Sequence, residues 1–223
     1  PFGQYFTRQE TWSGAGAKAW MDYLSRSCHL LQQGQFVADA LVYYGENTNL
    51  TWRFKEALPS IPGYEYDFVN SSAVLNVLKG ENGKITTPGG GSYSVIVLDE
   101  SAKLMTLPVL KKLRDLVKAG AKVTGFKPQK SPSLSDDPAE FQAVLNEFWN
   151  HPNVSNQPAA NLLKTQGIAE DVIVKNNKAK VLYVHRKTAE SASYWLNSRS
   201  AESNSAEVSF RVTGRVPELW SAQ

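Results

Sequence analysis

Residues 93–125, YSVIVLDESAKLMTLPVLKKLRDLVKAGAKVTG, decide how the chain is read. Val95, Ile96, Val97 and Leu98 run without alternation, as a strand covered on both faces does. Thr106 stands where a helix N-cap belongs, and Pro108 falls in the first turn, where a missing N–H costs nothing. The helix LPVLKKLRDLVKAG places Val109, Leu110, Leu113, Leu116 and Val117 on one face, and Gly120 ends it. AKVTGFKP is the next strand. Strand, helix and strand at this pitch predict an open, mostly parallel sheet with flanking helices.

The same pattern extends in both directions. AKAWMDYLSRSCHLLQQ, residues 17–33, has apolar side chains near helical spacing. FVADALVYYGE and YEYDFVN read as strands. SSAVLNVLKG reads as a short helix capped by Asn70 or Ser71 and ended by Gly80. KITTP and YSVIVLD are expected to form a hairpin around the glycines at 89–91. Asp137-Pro-Ala-Glu140 has the spacing of a capping box and launches FQAVLNEFW, with Phe141, Val144, Leu145, Phe148 and Trp149 on one face. From residue 176 the pattern changes. KAKVLYVHRKT, SASYWLNSRS and AEVSFRVTG are three consecutive strands with no helix between them, as in an antiparallel sheet or the start of a β-sandwich.

Composition narrows the function classes. Of 223 residues, 42% are hydrophobic and 20% charged, an ordinary globular balance. Twenty-four basic against 21 acidic residues leave a formal charge of +3, too slight for a nucleic-acid or anionic-membrane footprint. No apolar run approaches a membrane span, and no signal peptide is visible. One cysteine, Cys28, allows no internal disulfide and is expected to be a buried apolar thiol. The opening PFGQYFTRQETW carries Phe2, Tyr5, Phe6 and Trp12 without an initiator Met, and PELWSAQ stops after a strand. Both ends are expected to be cuts in a longer protein.

Candidate chemistry is sparse. GGGSYS precedes a strand, so it is neither a Walker loop nor a nucleophile elbow. Three scattered histidines have no metal-ligand spacing. Lys111, Lys112, Arg114 and Lys118 form the solvated face of a helix. Glu46, Asp99 and Glu100 close strands, and the carboxyl ends of parallel strands are where open α/β sheets hold ligands. Asn49, Asn70 and Asn153 begin glycosylation triplets. In the opening segment, aromatics interleaved with Arg8, Gln9, Glu10 and Thr11 suit stacking on a sugar ring and fixing its hydroxyls. A loop packing those aromatics on a neighbouring domain is the alternative.

PFGQYFTRQETW, AKAWMDYLSRSCHLLQQGQFVADALVYYGE, the 93–125 stretch and VLYVHRKT…YWLNSRS…VSFRVTGRVPELW together resemble the interior of large bacterial α-L-rhamnosidases of glycoside hydrolase family 106. The resemblance runs in order along nearly the whole chain. It implies a parent enzyme that hydrolyses rhamnosides with inversion by two glutamates in a (β/α)8 barrel with a calcium ion, both lying upstream of Pro1. On this reading residues 1–35 are the last loop and helix of that barrel. Residues 36–175 are an α/β domain related in fold to class I glutamine amidotransferases, or flavodoxin-like. Residues 176–223 start a β-sandwich.

The resemblance further implies that this segment holds no catalytic residue, metal or cofactor of its own. Its substrate contacts would be Arg8, Glu10 and Trp12. Its partners would be rhamnose-containing glycans and neighbouring domains of the same parent, with no nucleic acid or membrane, in a periplasmic or extracellular setting. Two departures stand out: VTGFKP has no cysteine at the elbow that an amidotransferase needs, and WSGAGAKAW has two glycines where a second bulky residue is expected after Trp12. The reading from another class is a non-catalytic α/β interaction module mediating domain or subunit contacts.

Overall fold

A computed structural model describes residues 15–46, 60–175, 181–200, 202 and 205–221. The described residues form two compact units that interleave along the sequence: 15–36, 182–197 and 212–221 belong to one, and 37–46, 60–175, 181, 198–200, 202 and 205–211 to the other.

The larger unit is built on a four-stranded sheet. Its strands β2 (Ala40–Tyr43), β3 (Tyr66–Val69), β7 (Val95–Leu98) and β8 (Val123–Gly125) lie in the order β3-β2-β7-β8. All three pairings are parallel, with Ala40 opposite both Tyr66 and Val95, and Ile96 opposite Val123. The unbroken apolar run of β7 therefore sits inside the sheet, as its composition predicts. Between β7 and β8 the chain passes through a 3-10 turn, Glu100–Lys103, and helix α3, Leu107–Lys118. Leu107, Val109, Leu110, Leu113, Leu116 and Val117 of α3 are all buried, which includes the whole set read from its periodicity.

Helix α4 (Pro138–Trp149) packs on α3 through Phe141, Val144, Leu145 and Phe148. Asp137 caps it by accepting the Glu140 N–H at 2.7 Å. The reciprocal half of the expected capping box is replaced by an ion pair from Glu140 to Lys111 at 2.5 Å. Lys118 and Arg114 likewise reach Glu147, at 2.5 and 3.4 Å. The basic face of α3 is thus laced to α4 rather than simply solvated. On the other face, helix α5 (Ala159–Thr165) brings Leu162 and Leu163 against Ala40, Val95, Ile61 and Tyr64. Strand alternation turns Ile96 and Leu98 away from that cluster, and both are fully buried.

Helix α2 (Ser71–Asn76) begins where expected, with the Asn70 side chain accepting the Ala73 N–H. It ends sooner than expected, at Val77, and Gly80 lies in strand β4 (Lys79–Glu81). That strand, β5 (Lys84–Thr86) and β6 (Ser92–Tyr93) make a separate antiparallel sheet. The glycine turn is therefore the β5–β6 hairpin, and the chain leaves it at Ser94 to enter the parallel sheet. Strand β9 (Val172–Lys175) pairs antiparallel with β12 (Glu207–Phe210), so the last strand joins β9 instead of its sequence neighbour.

The smaller unit holds helix α1 (Ala15–Gln32) and a three-stranded sheet of β1 (Gln35–Phe36), β10 (Val181–Lys187) and β11 (Ala192–Ser198), in the order β1-β10-β11. Arg186 ties the end of α1 to this sheet through the carbonyls of Gln33 and Gly34, both at 2.6 Å. His185 is buried and stacks on Tyr194 at 4.0 Å. On helix α1, Trp20 and Met21 face solvent, and so does Cys28, contrary to its expected burial, while Ser27 is buried. Trp220 is 63% exposed. Phe2, Tyr5, Phe6 and Trp12 lie outside the described residues.

Candidate functional site

The carboxyl edge of the parallel sheet is the place in this architecture where a ligand would be held, and three of its acids were singled out by sequence. Beyond β2, Gly45 adopts φ +80 at a point where a Cβ would overlap the carbonyl of Ser101. This close approach brings Glu46 under the start of α3. One Glu46 oxygen accepts the Thr106 N–H and the other accepts the Thr106 hydroxyl at 3.0 Å. Thr106 is the N-cap residue of α3, yet its own side chain makes no capping bond. Glu46, sixty positions away, supplies the anion to the helix N-terminus instead.

Asp136 supplies a second anion there. It accepts the Leu107 N–H at 2.7 Å and the Ser131 hydroxyl at 2.6 Å. Those two bonds hold its carboxyl below the usual carboxylate range. Beyond β7, Asp99 caps the 3-10 turn by accepting the Ser101 N–H at 3.1 Å, and the Ser101 hydroxyl also lies against its carboxylate. Glu100 pairs with Lys103 at 2.6 Å. Each of these acids has a structural engagement.

The last position of β8 has no room for a side chain. Gly125 has φ +114, and a Cβ there would overlap the Leu98 carbonyl. Phe126 follows, half exposed, with the Lys103 ammonium 5.6 Å from its ring centre. Beside this edge a groove of about 350 Å³ is lined by Gln129, Lys130, Ser131, Ser133, Asp136 and Phe141 among others. Its serines bond one another and the loop backbone, as in Ser133 to Ser135 at 2.8 Å, so the groove walls are largely self-satisfied.

The remaining sequence candidates are also engaged. The Asn70 side chain caps α2. The Asn153 amide lies between the Lys122 ammonium at 2.5 Å and the Val117 carbonyl at 3.2 Å, which removes it as a free glycan acceptor. His151 Nδ1 accepts the Asn153 N–H at 3.1 Å. Among the described residues no group of three or more His, Cys, Asp or Glu side chains could hold a metal ion. Arg8, Glu10 and Trp12, the expected substrate contacts, lie outside the described residues, as does Asn49.

Sequence reading missed one constellation entirely. Arg211, just after β12, grips Asp39 with both terminal nitrogens, at 3.2 and 2.9 Å, and its Nε stands 3.4 Å from Asp171. No local pattern signals it, because the partners come from three distant parts of the chain.

The described fold thus has an open parallel sheet whose carboxyl-edge acids take part in capping interactions and ion pairs. The whole chain, residues 1–223, matches the glycoside hydrolase family 106 profile, described as alpha-L-rhamnosidase, and the chain belongs to that family. It is 40% identical over 99% of its length to a protein of Formosa agariphila provisionally named a beta-glucuronidase, of which it covers 19%. It superposes on a solved rhamnosidase from Novosphingobium sp. PP1Y with a TM-score of 0.83 at 32% identity, over 94% of this chain and 21% of that one. The chain spans about a fifth of the length of each.

Proposed function

We propose that this chain is the scaffold and subsite-rim portion of a glycoside hydrolase acting on α-L-rhamnosides. The observation that carries the proposal is the family match across residues 1–223, in a segment whose described strand-end carboxylates are committed to helix caps and ion pairs. In this reading two glutamates outside these residues carry out the inverting reaction. One protonates the leaving oxygen, and the other activates a water on the opposite face of the sugar. A calcium ion, where the parent uses one, is held outside the described residues too.

Residues 1–35 would contribute the last loop and helix of the catalytic barrel, with Arg8, Glu10 and Trp12 at its rim. Residues 36–175 form a supporting domain of amidotransferase-like or flavodoxin-like type. The residue that follows β8 is Phe126 and not a cysteine, so no amidotransferase chemistry is proposed for it. Of residues 176–223, β10 and β11 would lead into a β-sandwich, while β12 returns to pair with β9. The setting is periplasmic or extracellular, and the partners are rhamnose-containing glycans and neighbouring domains of the same protein. The proposed substrate follows the family description and the solved rhamnosidase, against the provisional beta-glucuronidase name of one relative.

The test is steady-state hydrolysis of an aryl α-L-rhamnoside by the full-length protein carrying Arg8→Ala, Glu10→Gln or Trp12→Ala. KM should rise about tenfold, the loss of roughly 1.4 kcal/mol of sugar contact per side chain. Unchanged KM in all three variants would remove the rim role. The second reading, a non-catalytic interaction module, draws on the exposed Trp20 and Met21 of α1. It predicts sedimentation that depends on concentration and loses that dependence in a Trp20→Ser, Met21→Ser variant.

A further inference from the structure

Helix α1 carries an apolar stripe that the described residues leave uncovered. At about 100° per residue, Ala17, Trp20, Met21, Leu24, Cys28 and Leu31 fall within one arc of roughly 100°. Trp20, Met21 and Cys28 are exposed, and Ala17, Leu24 and Leu31 are only half-buried. Trp20 stacks on Tyr23 at 5.7 Å and still stays 54% exposed. The covered flank of the helix lies to one side of the stripe, where Ser27 is buried and donates its hydroxyl to the Tyr23 carbonyl at 2.7 Å. The other flank is polar, with Lys18 paired to Asp22 at 2.5 Å.

On α3, by contrast, every Leu and Val is buried. Among the described residues of the smaller unit only Ser27 and His185 are buried, and no apolar side chain is. A helix and a three-stranded sheet without a buried apolar core have little to offset the entropy of ordering them. The stripe is the surface of α1 that can supply that burial, because it holds no charged side chain along its length.

We propose that this stripe is a docking face for another part of the same polypeptide, an uncharged apolar surface from outside residues 1–223 that seats on Trp20, Met21 and Cys28. The proposal rests on the reading that the chain belongs to a longer glycoside hydrolase. It spans about a fifth of each relative, so most of such a protein is on hand to provide the cover. Covering by a tethered element also avoids the translational and rotational cost that a second copy would carry. From Ala17 to Leu31 the stripe is about 21 Å long and about 9 Å wide, on the order of 200 Å², against about 800 Å² per partner in a stable complex. That is too little to hold two separate chains together.

Cys28 lies in the stripe and is the only cysteine of the 223 residues, so alkylation of its peptide by iodoacetamide, followed by mass spectrometry, reads the cover directly. In the folded full-length protein its labelling should run at least about a hundredfold slower than in urea. In the 223-residue chain it should stay within about tenfold of the urea rate. Met21→Lys in the full-length protein puts a charge into the apolar contact and should speed labelling at least about tenfold. Asp22→Lys, on the polar flank, should leave it unchanged. Labelling of the full-length protein at the urea rate, protection already present in the 223-residue chain, or an equal response to both substitutions would each overturn the docking face. Protection that grows with protein concentration would put a second copy there and overturn it as well. Turnover of an aryl α-L-rhamnoside by the same full-length sample separates this from the wider reading. Turnover with Cys28 freely labelled sinks the docking face alone, whereas protection without turnover upholds it and counts against the rhamnoside substrate.

Discussion

Glu46 is the residue on which a catalytic and a structural reading of the sheet edge part most clearly. It is a partly buried carboxylate at the carboxyl end of a parallel strand, where an acid–base residue could stand, yet both oxygens are used by Thr106 at the start of α3. In Glu46→Ala the Thr106 N–H loses its acceptor and the helix N-terminus loses an anion. A charge-assisted bond contributes about 1.5–3 kcal/mol, and the dipole interaction about 0.3–1 kcal/mol. The two overlap, so the expected cost is about 2–3 kcal/mol. At roughly 2–4 °C per kcal/mol for a chain of this size, Tm should drop by about 4–12 °C. Glu46→Gln keeps an acceptor and should lose about half as much. The assay pairs a thermal melt with rhamnosidase turnover of the full-length protein, measured well below either Tm. The structural reading requires a lower Tm with kcat unchanged. A kcat reduced more than about a hundredfold with Tm unmoved is the signature of a lost general acid or base, and would refute the reasoning.

Three further perturbations follow from the same coordinates. Leu113→Ala, in the fully buried face of α3, should cost about 2–5 kcal/mol in urea unfolding, and a cost below about 1 kcal/mol would contradict its core position. Gly125→Ala forces a side chain onto the Leu98 carbonyl at a positive φ and should destabilise by more than about 1 kcal/mol, whereas Gly89→Ala, with open space around it, should be close to neutral by the same measurement. Arg211→Met removes the guanidinium that bonds Asp39 and stands against Asp171, and should cost about 3–5 kcal/mol at pH 8. The loss should shrink on acidification, as the raised Asp39 takes up a proton and relieves the site. A loss that grows on acidification would count against that cluster.

Much of the larger unit was legible in the sequence because its signals are local. The β7 run, the α3 periodicity and the Asp137 cap each depend on residues within a few positions of one another, and each element stands where those signals put it. Where local signals competed with tertiary contact, the reading slipped. Gly80 looks like a helix stop, but it serves in β4, where a Cβ would press on the Ala119 methyl of α3. Spacing identified α1 as a helix without revealing that Cys28 and Trp20 stay exposed, because periodicity names a face and not what covers it.

Charges were the least legible. Thr106 was expected to cap α3 itself, but Glu46 and Asp136 perform that role from outside the helix. The pairing of β12 with β9, and the Arg211 grip that accompanies it, are long-range choices that no window along the chain encodes. Nothing in the sequence neighbours of Arg211 and Asp171 marks them as withdrawn from water.

The central claim is that these residues support a rhamnoside-cleaving enzyme without performing the chemistry. The most direct measurement compares release of an aryl alcohol from an aryl α-L-rhamnoside by the full-length protein and by the 223-residue chain alone, at equal concentration. The account predicts turnover by the first and none above the uncatalysed rate by the second. Turnover by the isolated chain, abolished by Glu46→Gln or by Asp99→Asn while the fold persists, would contradict it.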